Sequence, residues 1–413
     1  MNRHPGLFSL ALLGAALTFS LTVSSLLGQA PPAAGPTTPP PAAAGAPGNI
    51  DAIRTSSAVA GAAPAITAYI TPQVTLLTSG AAAAAAGARD TLIDAAGPGA
   101  TPAFLAAYAG LLNTSLAPAL NHASEHVRLN AAIVVARVAE RSNNGALSAA
   151  TLTLLNDKSQ NVVLWGVKAA RWIIPALLRV PPAAAANPLL AAVVKAVATH
   201  GHGAIGGPIV IEAYEALMVD ALNANAKQRP AAAMITAVIP YMHQLLQQRA
   251  AAYQKGIPPE PAADSRGTLF LVDSTVWTLH TPPQRVTSIQ AMSDITGLGA
   301  QHAATASPTD LADLGYMIGL VSKAIAVVPQ NQPVLAQLGP AMKVDARTNA
   351  AQVQAAVAAV APALKAVKEF AALTPPPAVA AVAAPANNGA TNQPTTAPTT
   401  AATSPANTAS TSP

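Results

Sequence analysis

SEHVRLNAAIVVARVAE (124–140) and SQNVVLWGVKAARWIIPALLR (159–179) read as two copies of one helix. Each opens on a serine, a residue type that favours the N-cap position. Each then carries small and branched apolar residues at helical spacing. An offset of 35 residues lays Ser124 on Ser159, Leu129 on Leu164, Ala131 on Gly166, Val134 on Ala169 and Val135 on Ala170. Between them GALSAATLTLLNDKS predicts a second, shorter helix ending near Asn156-Asp157. In the second copy Asn161, Lys168, Arg171 and Arg179 recur at spacings of 7, 3 and 8, which makes one narrow polar stripe. Pro175 falls on that stripe, where its missing N–H would face water. The rest of the girth is apolar, so the helix must be covered on several sides. The inner helix of a stacked array is in that position.

A period in the middle thirties built from helix–turn–helix units marks a repeat architecture. VRLNAAIVVARVAE and NVVLWGVKAARWI resemble HEAT-type repeats, in which a Val-Arg pair followed by paired Ala opens the second helix. Val127-Arg128 and Ala131-Ala132 match that pattern. The second copy departs from it, with Val163 in place of Arg and Gly166 in place of the first Ala. The resemblance covers about residues 124–223 and implies a right-handed α-α superhelix that binds partners.

Composition agrees with an all-α fold. About a quarter of the 413 residues are Ala, the best helix former, and 3% are aromatic. Ala is depleted in strands and the residues that strands favour are few, which argues against a sandwich or barrel. The chain has no Cys, which excludes disulfide scaffolds, thiolate metal sites and cysteine nucleophiles.

The ends read differently from the middle. Arg3 precedes 22 uncharged residues from Leu7 to Gly28, and Gly28-Gln29-Ala30 offers small residues at a cleavage site. Residues 1–30 therefore predict an export signal, cleaved or kept as an N-terminal anchor. Residues 31–50 are an uncharged Pro/Ala-rich linker, and 374–413 an Ala/Pro/Thr/Ser tail with little to bury, expected to be disordered. Helical patterns fill 51–256 as a repeat domain and 264–373 as a second helical region. The Pro-rich break 257–263 is the expected boundary between them. Helices are expected over 51–79 and 88–120, joined by a flexible Ala run at 81–86.

Motifs for chemistry are sparse. His122, Glu125 and His126 spell H-x-x-E-H, the pattern of a zinc peptidase with two His ligands and a Glu base. With Ser124 as N-cap, however, His122 falls outside the helix that such a site needs. Gly201 to Gly206 matches G-x-G-x-x-G but follows an Ala-rich helical run where a dinucleotide site needs a strand. Asn113-Thr114-Ser115 is a glycosylation sequon. The three tryptophans are expected in the core. Residues 125–195 hold eight Lys or Arg against three acids, a net +5 that equals the excess of the whole chain.

The expected protein is a periplasmic or secreted, non-enzymatic helical-repeat scaffold of the cell envelope, with no catalytic residues, metal or cofactor. Its partner is a protein or an anionic envelope component, met by a basic ridge of Arg128, Lys168, Arg171 and Arg179. Nucleic acid is not expected, since the compartment is wrong and aromatic interleaving is missing. Two alternatives remain: a metal-dependent hydrolase at His122, Glu125 and His126, and a membrane-tethered structural spacer.

Overall fold

A chain rich in Ala makes helices readily but gives each one little bulk to bury. Such helices must pack at close range and on more than one side. The computed structural model shows this arrangement. It describes residues 50–203, 205–219, 221, 230–326 and 349–375. The segments read as an export signal (1–30) and a tail beyond Pro375, and nearly all of the segment read as an N-terminal linker, lie outside the described residues.

Sixteen α-helices and no strand occur among the described residues. They are α1 (Ile50–Thr55), α2 (Ala63–Thr78), α3 (Ala82–Ala95), α4 (Pro102–Ser115), α5 (Ala117–Leu120), α6 (Glu125–Ser142), α7 (Ser148–Leu155) and α8 (Gln160–Leu178). Then follow α9 (Asn187–His200), α10 (Gly206–Met218), α11 (Ala232–Gln254), α12 (Pro261–Val272), α13 (Ser274–Leu279), α14 (Pro282–Gln301), α15 (Pro308–Ala326) and α16 (Ala350–Ala366). The protein is all-α, as composition and periodicity require. The Ala run at 81–86 is not a flexible joint; it forms the first turns of α3, consistent with the high helix propensity of Ala.

The helices stack in two layers. In one layer α3, α6, α8, α10, α12 and α15 each pack on the next. In the other, the order is α2, α4 with α5, α7, α9, α11, α14 and α16. Links between the layers, such as α2 on α3, α7 on α8, α9 on α10 and α14 on α15, close the core. Covered by α6, α7, α9 and α10, α8 has the surroundings its apolar girth demands. Pro175 is buried among them instead of facing water. Gly166 lets α7 approach α8 closely, since a Cβ there would lie 2.9 Å from the Leu154 Cβ.

The 35-residue offset is a spatial repeat as well as a sequence one. Asn121 and Asn156 each donate their side-chain amide to the carbonyl four residues back, at 2.9 and 2.8 Å. His122 Nδ1 accepts from the Ser124 N–H at 3.1 Å, and Asp157 Oδ1 accepts from the Ser159 N–H at 2.8 Å. The serine side chains, expected to cap α6 and α8, make no capping bond. The residue two positions earlier supplies the acceptor. Glu125 and Gln160, the first residues of their helices, both reach into the next turn: Glu125 to Ser159 and Asn161, Gln160 to the carbonyls of His200 and His202.

Beyond α8 the spacing between equivalent helices widens and the 35-residue register is lost, yet the stack continues. The Pro-rich segment at 257–263 interrupts no core. Helices α10, α11 and α12 pack on one another across it, and Asp264 just beyond it is fully buried.

Candidate functional site

Position on a helix decides which face a side chain shares. Trp165, Lys168 and Trp172 stand at i, i+3 and i+7 on α8, one face about 10 Å long. The neighbouring layer helices add Arg137 and Glu140 from α6 and Glu212 and Glu215 from α10. Six of these seven side chains (all but Glu215) line, with Ala136 and Arg171, a surface cavity of about 160 Å³. Lys168 Nζ lies 4.8 Å from the centre of the Trp165 ring, and the Arg137 guanidinium 5.6 Å from it. Arg171 is 5.9 Å from the Trp172 ring. Both tryptophans are half-buried, and only Trp277 sits in the core as the sequence suggested for all three.

The electrostatics of the cavity are unusual for this protein. Arg137 is hydrogen-bonded to Glu140 at 2.9 Å. Lys168 and Arg171 stand 3.9 and 3.7 Å from Glu212, and Arg171 stands 3.4 Å from Glu215. None of these three contacts has hydrogen-bond geometry. Glu215 is instead taken by Arg266 of α12. Two cationic groups thus face the cavity with unspent donors.

The other predicted ridge residues are elsewhere. Arg128 is buried, and its guanidinium makes four hydrogen bonds. It donates to Asp157 at 2.7 and 3.2 Å and to the carbonyls of His122 and Ala123 at 2.9 and 3.0 Å. The Asp157 hydrogen bonds hold its pKa above the ordinary value. It fastens two successive turns and presents no charge to solvent. Arg179 is exposed just past the end of α8 and does not line the cavity. Of the four, the structure brings only Lys168 and Arg171 together.

The H-x-x-E-H residues do not converge. α6 begins at Glu125, so His122 lies in the preceding turn with its Nδ1 committed to the Ser124 N–H. The Glu125 carboxylate accepts from Ser159 at 2.6 Å and Asn161 at 3.2 Å, which holds its pKa below the usual carboxylate range. A general base needs the opposite shift. No group of three His, Asp or Glu side chains suited to a metal occurs among the described residues. The G-x-G-x-x-G stretch is the turn between α9 and α10, where Gly206 packs directly on Gly201. The sequon residue Asn113 accepts from the Ala150 N–H at 2.9 Å, satisfying a donor in the first turn of α7.

One buried polar network gave no sequence signal. Asp264 accepts from Tyr214 at 2.7 Å, from Arg249 at 3.1 Å and from Tyr253. Arg249 further donates to the Gly201 carbonyl at 3.0 Å and to Glu260 at 2.7 Å. Every charge in it is partnered, and it ties the α9–α10 turn to α11 and α12. Its residues are separated by up to 63 positions, from Gly201 to Asp264, so no local motif announces it.

No protein-family model, curated protein or solved structure matches the chain.

Proposed function

We propose that this is an exported, non-enzymatic helical-repeat protein, of HEAT-like construction, that serves as a protein-interaction scaffold in the cell envelope. The α6–α8–α10 face is its contact surface. The observation that carries the reading is the pair of half-buried tryptophans, Trp165 and Trp172, framing a cavity edged with Arg, Lys and Glu. Tryptophan and arginine dominate binding energy at protein interfaces. In a chain so poor in aromatics, two tryptophans that each keep part of a ring at one cavity offer a partner ready-made anchors.

The test is capture from the envelope fraction by the purified full chain, compared with its Trp165→Ala and Trp172→Ala variants. Loss of one buried anchor tryptophan costs about 2 kcal/mol or more, roughly thirtyfold in affinity. A partner retained equally by all three proteins sinks the assignment. Export is checked separately, by sequencing the N-terminus of the protein isolated from its cell: a start at Pro31 identifies a cleaved signal, and a start at Met1 identifies a retained anchor.

A further inference from the structure

We propose that the cavity on the α6–α8–α10 face is a receptor for a single carboxylate side chain carried by a partner protein. This rests on the reading of that face as the contact surface. Three observations point to it.

The first is donor accounting. Among the described residues the two buried arginines, Arg128 and Arg249, each make four hydrogen bonds. Lys168 and Arg171 make none with the carboxylates beside them, which stay at 3.4–3.9 Å. A cationic donor gains most from a charge-assisted bond at ~2.7–2.9 Å, and nothing within the cavity supplies one to either residue. Both cations are also held in place, Lys168 against Trp165 and Arg171 against Trp172, so a ligand need not order them.

The second is size. About 160 Å³ is several water volumes, enough for an Asp or Glu side chain. It is below the ~300–1,000 Å³ typical of small-molecule sites.

The third is the sign pattern. Arg137, Lys168 and Arg171 line the cavity together with Glu140 and Glu212, which leaves one positive charge over. One added carboxylate neutralises it. A dense polyanion would have to meet Glu140, Glu212 and Glu215 as well, and each is a like charge. The residues flanking the incoming carboxylate would lie along the open parts of Trp165 and Trp172. Glu212 is the internal competitor, since it shares both cations with the ligand.

The experiment is a fluorescence titration of the full chain with hexaglutamate, hexalysine and polyphosphate. Trp165 and Trp172 report on the cavity, over a constant signal from buried Trp277. Hexaglutamate is expected to give a saturable change that weakens severalfold in 0.5 M salt, where screening shortens to a few ångströms. Lys168→Gln/Arg171→Gln, checked for unchanged helicity by circular dichroism, should bind hexaglutamate about tenfold more weakly. Glu212→Gln should bind about threefold more tightly, and this variant keeps the test decisive if the double variant does not fold. No saturable response to hexaglutamate overturns the proposal. So does equal affinity in the double variant, no gain in Glu212→Gln, or polyphosphate binding as tightly as hexaglutamate. If Trp165→Ala loses its envelope partner while hexaglutamate fails to bind, this inference falls and the scaffold reading stands. If hexaglutamate binds as expected and the Trp variants keep every partner, the scaffold assignment fails alone.

Discussion

Asp264→Ala should unfasten the junction of α10, α11 and α12. Asp264 is fully buried, and Arg249, on the facing helix α11, is 2% exposed. Burial works against the Arg249 charge, but Asp264 and the tyrosine hydroxyls outweigh it and keep its pKa above the ordinary range. A guanidinium does not give up its proton in a protein, so Arg249 stays charged in the variant, with Glu260 as its one remaining carboxylate. Stripping one partner from a buried pair costs about 3–5 kcal/mol. The Tyr214 hydroxyl also loses its acceptor, a further penalty of about 1–3 kcal/mol. These losses share a site and do not simply add, so the expectation is about 5 kcal/mol. That is comparable with the whole stability of many domains, about 5–15 kcal/mol. Urea unfolding followed by circular dichroism and tryptophan emission measures it. Stacked arrays lose cooperativity when one junction weakens, so the Trp277 region beside α11 and α12 should melt before the α8 region. Arg249→Met/Asp264→Ala should be more stable than Asp264→Ala, because no buried cation remains and Glu260, with a third of its side chain exposed, can turn to water. A loss below 1 kcal/mol in the single variant, or a double variant that is less stable still, would refute the argument.

Two further outcomes follow from buried groups. Arg128→Met should cost about 3–5 kcal/mol in a urea melt, by stranding Asp157 in a site with 6% and 9% side-chain exposure, and should leave hexaglutamate binding unchanged in protein that still folds. His243 is buried, and burial, with a lesser push from His280, lowers its pKa from 6.5 to about 4. The unfolded chain then binds more protons between these values, so this group favours folding at neutral pH, and its contribution falls as pH drops from 6.5 towards 4. Burial raises Asp294 from 3.8 to about 6, which has the opposite sign: its folded form is favoured on the acid side and loses ground as pH rises through 4–6. The two nearly cancel in that window. Asp294→Asn should therefore lose thermal stability more steeply than the parent between pH 6.5 and 4.5, and parallel melting curves for the two proteins would contradict the assignment.

The helices were legible because their cause is local. Ala content, apolar spacing and the serine-led starts of 124–140 and 159–179 are properties of short windows. The turn chemistry was half legible. A 35-residue offset was visible in Leu129 and Leu164, but two further equivalences pair unlike residues: His122 with Asp157, and Glu125 with Gln160. His122 and Asp157 accept the same backbone N–H through different atoms, while Glu125 accepts from the next turn and Gln160 donates to it, and a comparison of letters cannot see either equivalence. The flexible-run reading of 81–86 failed because low bulk was taken for low order, whereas Ala loses little side-chain freedom in a helix. The Pro-rich break at 257–263 failed as a domain boundary because proline stops a helix without stopping packing on either side of it. On the α8 face, Trp165, Lys168 and Trp172 could be placed together from spacing alone, but their carboxylate neighbours come from other helices: Glu140 from α6, and Glu212 and Glu215 from α10, forty or more residues on.

The charge count shows the same limit. Eight cations against three acids over 125–195 suggested a basic ridge, yet that window ends before Glu212 and Glu215. Stacking brings those two acids back onto α8, and the excess shrinks to a single charge in the cavity. Sequence charge therefore does not separate a structural cation from an available one. Hydrogen-bond geometry does. Arg128 and Arg249 have acceptors at bonding distance for their guanidinium groups, and removing either is a stability experiment. Lys168 and Arg171 have carboxylates near enough to feel but too far or too poorly aligned to bond, and removing them is a binding experiment. The same residue types on adjacent turns of one stack thus take opposite roles, and the distance to the nearest carboxylate oxygen decides which.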